Sequence, residues 1–293
     1  MTTKLKIFNK TLIKLGSETI TEINDNVKSV RVINEIYDDI VKEELQKHCW
    51  IFAKKKAVIF ADDILQTVKN VASVSVDDVV LSYDKNMLVI TAASAGTSGN
   101  DIVIKSTNKK VVCSGDSLKG GTVDKKAVGT ITFNSNMDKG DSITIGDTEL
   151  VAGTDFSIGE QIEGFFKRKF ELPDDLLLLL EVDGFNALTT YPYQYGAYKQ
   201  YDIADRNIYC NKDVITVNYT AEVSEDKFDL NFVNAVCCRI CYELAEVLTE
   251  DDQKKQTWMN EYLLAVRDAK RVNAIQLPNA SLGAGIIERV RVM

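Results

Sequence analysis

The sequence is poor in histidine, proline and tryptophan: its 293 residues include one His, three Pro and two Trp. The single histidine, His48, has no second imidazole with which to form a histidine metal site or a proton relay. Cys49 follows it directly, but adjacent side chains on a helix point about 100° apart and do not pair as nucleophile and base. We therefore expect His48 to be a structural residue at the end of a helix, packed beside Trp50.

Positive charge is outnumbered by negative charge, since 43 Asp and Glu stand against 35 Lys and Arg and the formal net charge of the chain is −8. Such a chain is a poor candidate for gripping nucleic acid, because phosphate backbones are bound by clustered Lys and Arg. The short basic runs at residues 54–56 and 168–169 are more typical of a solvated face than of a phosphate contact. The acidic balance does suit a surface past which DNA slides without sticking, because like charges repel.

Long apolar runs are absent from the sequence. The longest, "LLLLL" at residues 176–180, is far shorter than the roughly 20 residues that cross a bilayer. The first ten residues contain no apolar segment of the kind found in secretory signals. The six cysteines are irregularly spaced, which does not fit a disulfide framework. We expect a soluble protein that is made in a reducing cytoplasm and has no membrane partner.

Sequence motifs for chemistry are missing too. Neither a G-x-x-x-x-G-K-[ST] phosphate loop nor a G-x-S-x-G nucleophile elbow occurs. Three cysteines crowd the segment "CCRIC" at residues 237–241, where packing as small hydrophobes is favoured over a zinc site, which needs a fourth ligand. The aspartate pairs at 174–175 and 251–252 fall at a corner and a helix start, where Asp is favoured for capping. We predict no catalytic, cofactor-binding or metal residue, and no enzyme.

Helical periodicity marks the two ends of the chain. Residues 4–15 have apolar side chains at helical spacing and stop at Gly16. A second helix is predicted for residues 27–48, and the 3.6-residue period returns from Phe228 onwards. A break at "TEDD", with Thr249 and Asp252 spaced as a capping box, divides this last region into an αα-hairpin.

The middle of the chain has strand character. Residues 71–162 are rich in Val, Ile, Thr, Ser and Gly, and apolar residues alternate at Ile131 and Phe133 and at Ile143 and Ile145. Further strands flank a corner at Pro173 and continue to about residue 220. The predicted class is α+β: a helical core of N-terminal helices plus the C-terminal αα-hairpin, an antiparallel strand region and an inserted small all-β domain. The predicted domains are a discontinuous core (1–70 and 163–276), a β-insert (71–162) and a C-terminal docking tail (277–293).

The tail has its own pattern. Pro278 stops the last helix, residues 279–285 are typical of a flexible linker, and "IIERVRVM" then has strand propensity. An apolar strand behind a linker is typical of docking on another subunit. The predicted docking residues are Ile286, Ile287, Val290 and Val292.

Several short motifs occur in a fixed order. A first helix ends in Leu15–Gly16, the second carries the pair Tyr37–Asp38, and a His-x-Trp-x-Phe-Ala signature closes it. The signature residues are His48, Trp50, Phe52 and Ala53, and a strand corner follows at Leu172, Pro173 and Asp175. This order resembles the head–tail adaptor family of tailed bacteriophages, the tail tubular protein A type of podoviruses, over most of the chain outside residues 71–162. Cys49 departs from the pattern, since proline is frequent there.

The resemblance implies a structural function. Members of the family form a ring, usually of twelve copies, beneath the portal protein, and this ring extends the DNA channel and attaches the tail nozzle or tail tube. It implies localisation in the tail or neck of the virion after assembly in the host cytoplasm. Genomic DNA would pass through the channel without sequence-specific binding, and the tail residues would dock on the portal or a neighbouring subunit.

Three alternatives stay open at this point. The β-insert is compatible with a binding module for a host glycan or with a decoration of capsid or tail. The helical core is equally compatible with a head-completion protein of another tailed-phage type. An enzyme would require a hidden metal site at residues 237–241.

Overall fold

The fold is α+β, as predicted. The computed structural model describes residues 2–23, 25, 27–187, 200–249 and 252–276. Its helices are α1 (Lys4–Lys14), α2 (Lys28–Gln46), α3 (Asp62–Ala72), α4 (Leu230–Thr249) and α5 (Asp252–Gln276). None of the helices within these described ranges is long and apolar enough to span a membrane.

The strands form four antiparallel sheets among the described residues. The orders are β1-β14-β10-β11, β12-β13-β9, β2-β3-β6-β5 and β4-β7-β8. The strand bounds are β1 (Lys54–Phe60), β2 (Val79–Asp84), β3 (Met87–Ala92), β4 (Ile104–Ser106), β5 (Val111–Cys113), β6 (Val128–Phe133), β7 (Ser142–Ile145), β8 (Thr148–Val151), β9 (Arg168–Glu171), β10 (Leu176–Val182), β11 (Phe185–Asn186), β12 (Tyr201–Ala204), β13 (Asn207–Cys210) and β14 (Val214–Ala221).

The chain divides into two compact units. The first contains residues 1–56, 175–180 and 218–293, and the second contains residues 57–174 and 181–217. The second unit is therefore wider on both sides than the predicted insert, residues 71–162. Independent folding of residues 71–162 stays a prediction.

The core of the first unit is made by one apolar face from each of three helices. The predicted faces of α2 and α4 are buried as the helical period requires. The buried residues are Ile7, Phe8 and Leu12 of α1, Val30, Ile33, Tyr37, Ile40, Val41 and Leu45 of α2, and Phe232, Val236, Ile240 and Leu244 of α4. Gly16 follows α1 at φ +73°, which confirms the predicted glycine stop.

Two of the sheets in the second unit, β2-β3-β6-β5 and β4-β7-β8, pack against each other. The alternating residues Ile131 and Phe133 of β6 and Ile143 and Ile145 of β7 are all buried, as predicted. A Cβ added to Gly129 of β6 would lie 2.6 Å from the Leu118 side chain and 3.0 Å from the side chain of Ile104, on β4 of the other sheet. The two sheets thus share one core.

Helix α3 was not predicted from the sequence. It lies between β1 and the β-rich segment, and the predicted domain boundary at residues 70–71 falls within its last turn. Its buried residues Ile64, Thr67, Val68 and Val71 have helical spacing. The signal was therefore present, but a buried threonine interrupts the apolar pattern and the helix has only 11 residues.

The strands predicted after residue 200 are divided between two sheets. β12 and β13 form a hairpin whose turn residues, Asp205 and Arg206, have φ of 48° and 61°. Positive φ at both central residues is typical of a two-residue hairpin turn that matches strand twist. β14 instead lies between β1 and β10 in the other sheet.

Candidate functional site

The signature segment after α2 is an aromatic cluster of the first unit. The Trp50 ring, 2% exposed, meets the rings of His48 and Phe232 edge to face, each at 5.0 Å between centroids. Phe52 lies 6.0 Å from Trp50 and 5.1 Å from Phe232. Edge-to-face pairs at these distances add to the stabilisation from burial. The signature thus fixes the chain after α2 against α4.

His48 hydrogen-bonds to the side chain of Asn273, on α5. Asn273 Nδ2 lies 3.1 Å from His48 Nε2 and donates to the Cys49 carbonyl oxygen at 2.9 Å. Asn273 Oδ1 accepts from the Ile51 N–H at 2.8 Å. Burial, with the nearby charge of Lys270, lowers the pKa of His48 and favours a neutral imidazole. This geometry makes His48 a structural acceptor.

Glu44 is a buried carboxylate on the apolar face of α2. Its side chain is 2% exposed and accepts from Lys47 Nζ at 2.6 Å and from the Tyr262 hydroxyl at 2.7 Å. Burial lowers the pKa of Lys47, but the hydrogen bonds from Lys47 to Glu44 and Tyr262 outweigh it, so the net shift is upwards. Burial and the bond to Glu44 raise the pKa of Tyr262. Buried charges persist when they are paired, so this group fastens α5 to α2.

The Tyr37–Asp38 pair lies beside a small cavity of the first unit. Tyr37 is 1% exposed, and its hydroxyl donates to Glu225 Oε1 at 3.4 Å. Lys4 Nζ pairs with Asp38 at 3.1 Å and lies 4.6 Å from the Tyr37 ring centroid. Burial, followed by the charge of Glu225, raises the pKa of Tyr37. The cavity has a volume of about 230 Å³. It is lined by four residues of α2 and five that precede α4: Tyr37, Asp38, Val41 and Lys42, and Glu222, Val223, Ser224, Glu225 and Phe228.

The predicted strand corner contains a hydrogen-bonded turn in the second unit. Leu172 is 7% exposed, and its N–H donates to the Arg206 carbonyl oxygen at 3.1 Å. The Arg206 guanidinium donates in turn to the Pro173 carbonyl oxygen at 3.0 Å. Leu172 and Pro173 therefore hold the turn before β10 against the β12–β13 hairpin.

Asp175 has a separate set of partners in the first unit. Its carboxylate accepts from Lys55 Nζ at 2.5 Å and from the Tyr219 hydroxyl at 2.9 Å. Burial opposes ionisation of Asp175, but these two hydrogen bonds outweigh it and hold the pKa of the carboxyl below its usual value. Burial and the bond to Asp175 raise the pKa of Tyr219 to about 12. Asp175 is thus a structural acceptor at the start of β10.

The other basic residues considered for phosphate binding differ in their environment. Lysines 54 and 56 are exposed, and Lys169 pairs with Asp62 at 3.5 Å. Arg168 pairs with Asp63, whose side chain is 3% exposed, and with Asp213 at 2.7 Å. The Arg168 guanidinium therefore forms its ion pairs with carboxylates of the second unit.

A polar network surrounds the Asp63 carboxylate. Asn136 Nδ2 donates to Asp63 Oδ2 at 3.2 Å and to the Gly159 carbonyl oxygen at 2.6 Å. The Gly159 N–H donates to Thr67 Oγ1 at 2.7 Å. A Cβ on Gly159 would lie 2.0 Å from the Asp63 carbonyl oxygen, so only glycine fits this approach. The sequence analysis missed these residues, because their partners are far apart along the chain.

The "CCRIC" cysteines are buried in the first unit. The Cys237 and Cys241 thiols donate to the carbonyl oxygens of Ile7 and Thr11 in α1, each at 3.7 Å. Lys14 Nζ lies 3.3 Å from Cys238 Sγ. Burial raises the pKa values of Cys237 and Cys241. Within the described ranges, no group of three His, Cys, Asp or Glu side chains could hold a metal ion.

Two further predictions fall outside the described residues. The predicted break with its capping box of Thr249 and Asp252 includes residues 250 and 251, and the tail residues Ile286, Ile287, Val290 and Val292 belong to residues 277–293. Neither prediction is tested by the structure.

Two comparisons with known proteins found no match. No protein-family model matches the chain, and no curated protein sequence is similar to it. The resemblance to head–tail adaptors therefore depends on the motif residues alone.

Proposed function

We propose that this protein is the head–tail adaptor of a tailed bacteriophage, a non-enzymatic subunit of a ring below the portal. The observation that carries the proposal is the role of the motif residues in the first unit. Tyr37, Trp50 and Phe52 pack between α2 and α4, and His48 hydrogen-bonds to Asn273 on α5. Motif residues used for packing support a structural protein, because ring subunits must be rigid to fit one another.

The helix pair α4–α5 supports the assembly part of the proposal. Its helices have 20 and 25 residues, which gives a stiff element about 30 to 38 Å long. Interfaces in a ring are head-to-tail, so two different patches of each subunit must be complementary. The proposed ring has about twelve copies by resemblance, contacts the portal above and the tail nozzle or tube below, and belongs to the virion.

The charge balance supports the channel part of the proposal. A net charge of −8 per subunit is multiplied around a ring, and the resulting potential repels the phosphates of DNA. Genomic DNA would then pass through the channel without sequence-specific binding. The tail, residues 277–293, would dock on the portal or a neighbour through Ile286, Ile287, Val290 and Val292.

The test is the molar mass of the full chain with and without the cognate portal, by light scattering and negative-stain microscopy. A ring that forms alone or on the portal supports the proposal, and a monomer that ignores the portal overturns it. Deleting residues 281–293 should abolish portal binding. A variant with serine at the four docking positions should behave like the deletion, whereas one with leucine at the same positions should still bind.

One observation favours a second candidate, a binding module in the second unit. Val80, Val128 and Val112 lie on the outer face of the β2-β3-β6-β5 sheet and are 56%, 43% and 51% exposed. Thr91 stands opposite Val80 on one side and opposite Val128 on the other, so the face is continuous. Glycan or virion binding that is lost in Val80→Lys and Val128→Lys, with ring formation intact, would assign this function to the second unit.

A further inference from the structure

Helix α5 has a second face that no described element covers. Its buried face contains Tyr262, Ala265, Ala269 and Asn273. At about 100° per residue, positions 264, 268, 271 and 275 form one stripe roughly opposite that face. All four residues of the stripe, Leu264, Asp268, Arg271 and Ile275, are exposed, with Leu264 at 46% and Ile275 at 74%.

The α5 stripe has a symmetric order of side chains. An apolar residue precedes an aspartate by four positions, and an arginine precedes an apolar residue by four positions. Two copies of α5 that cross antiparallel, centred between residues 269 and 270, would place Leu264 opposite Ile275. The same register places Asp268 opposite Arg271, and each contact occurs twice. The stripe is thus complementary to itself in both charge and apolarity.

The two charges of the α5 stripe are available for such a contact. Neither Asp268 nor Arg271 forms an ion pair with a described residue, although Lys47, Arg168 and Arg239 all do. A single exposed Leu or Ile is normal on a protein surface. Here Leu264 and Ile275 flank two charged residues at matched spacing, and this arrangement favours a specific partner.

We infer that the α5 stripe binds the α5 stripe of a second copy of this chain in an antiparallel, twofold pair. A twofold interface uses the same patch on both copies, which is what the symmetric order of side chains provides. The stripe covers only about 17 Å of helix, so the pair is a weak, concentration-dependent dimer. The inference does not depend on the proposed function, since a head-to-tail ring uses two unlike patches.

A charge-exchange experiment on the full chain tests the pairing. Sedimentation of the unmodified protein should show a dimer at high concentration that weakens with salt. Asp268→Arg should weaken dimerisation by about tenfold or more, because two arginines then meet at each of the two 268–271 pairs that flank the centre of the contact. Arg271→Asp should do the same, and the double variant Asp268→Arg/Arg271→Asp should restore the dimer. Asp124→Arg is the matched control, since it makes the same charge change at an exposed site on the second unit.

Crosslinking tests the antiparallel register independently. Leu264→Cys protein mixed with Ile275→Cys protein should give a disulfide-linked heterodimer under mild oxidation, because the two positions face each other. Leu264→Cys protein alone should crosslink no more than the unmodified chain. The inference is overturned if the unmodified protein is monomeric at high concentration, if the double variant fails to restore the dimer, or if Leu264→Cys protein alone crosslinks as much as its mixture with Ile275→Cys protein.

Discussion

Asn273, near the end of α5, hydrogen-bonds to His48, just after α2, with 3.1 Å between Asn273 Nδ2 and His48 Nε2. The same amide group bonds to the backbone at Cys49 and Ile51, so one side chain occupies three polar groups of the signature segment. Asn273 is 1% exposed. It therefore substitutes for water at a place where the chain leaves the helix and its backbone groups need partners.

Asn273→Ala should destabilise the first unit substantially. The substitution leaves the Ile51 N–H and the Cys49 carbonyl without their partner, which should lower the free energy of unfolding by about 2 to 3 kcal/mol. Urea unfolding followed by tryptophan fluorescence measures this unit specifically, since both tryptophans, Trp50 and Trp258, belong to it. Asn260→Ala, at an exposed position of the same helix, should change the unfolding free energy by less than about 0.5 kcal/mol. Equal effects of the two variants would contradict the role given to Asn273.

The His48 contact predicts a pH dependence of stability. The folded-state pKa of His48 lies below its unfolded value, so the unfolded chain takes up the proton first as the pH falls. The stabilisation is complete above the unfolded pKa, near 6.5, and is lost as the pH falls towards the folded pKa. The free energy of unfolding should therefore decrease from about pH 7.5 to pH 5.5. His48→Gln keeps an acceptor for Asn273 without a titrating group, and this variant should show a smaller decrease; an identical slope would exclude His48 as the source.

The stability of the first unit should depend strongly on the Glu44 side chain as a hydrogen-bond acceptor and less on its charge. Glu44→Ala leaves the buried Tyr262 hydroxyl without an acceptor and should cost about 1 to 3 kcal/mol. Glu44→Gln retains an acceptor for Tyr262 and loses one of two charge partners of Lys47, which still has Glu43 at 3.9 Å and whose side chain is 41% exposed. Glu44→Gln should therefore lower the free energy of unfolding by less than Glu44→Ala does. Glu35→Ala, at an exposed position of α2, is the control that should leave the unfolding curve in place.

Much of the fold could be predicted from the sequence because the signal is local. The apolar faces of α2 and α4, the glycine stop after α1 and the alternation in β6 and β7 each depend on spacing within a few residues. Helix α3 escaped prediction because Thr67, on its buried face, bonds to Asn136 at 2.5 Å, and that partner lies far along the chain. The placement of β14 away from the β12–β13 hairpin likewise depends on long-range pairing.

The candidate site was predictable only in part for the same reason. His48 and Trp50 were expected to pack at a helix end, and the structure confirms this contact. Glu44 and Asn273 were not singled out, although each is a polar residue on an otherwise apolar helical face. That pattern is a usable signal for a buried hydrogen-bond group, but it does not identify the partner.

Gly159 should be intolerant of any side chain. An added Cβ would lie 2.0 Å from the Asp63 carbonyl oxygen, so Gly159→Ala must displace backbone of α3 and should cost roughly 1 to 3 kcal/mol or more. Hydrogen exchange measured by mass spectrometry should show faster exchange in α3 and in peptides of the second unit. At Gly115 the nearest atom to an added Cβ is 3.5 Å away, so Gly115→Ala should leave exchange unchanged. Unchanged exchange in Gly159→Ala would contradict the close approach.

Thiol reactivity should separate the buried cysteines of residues 237–241 from the half-buried ones and decide between packing and metal binding there. Cys237, Cys238 and Cys241 are fully buried, whereas Cys49 and Cys113 are half-buried. The thiolate is the reactive form, and burial raises the pKa values of Cys237 and Cys241, so alkylation at pH 8 should be slower there than at Cys49 by ~100-fold or more. Urea should remove the difference.

A chelator should leave the native rates unchanged if α1 carbonyl oxygens are the partners of these thiols, whereas a bound metal ion would make labelling accelerate when it is removed. Cys237→Ala should then lower stability through loss of packing, with no dependence on added zinc.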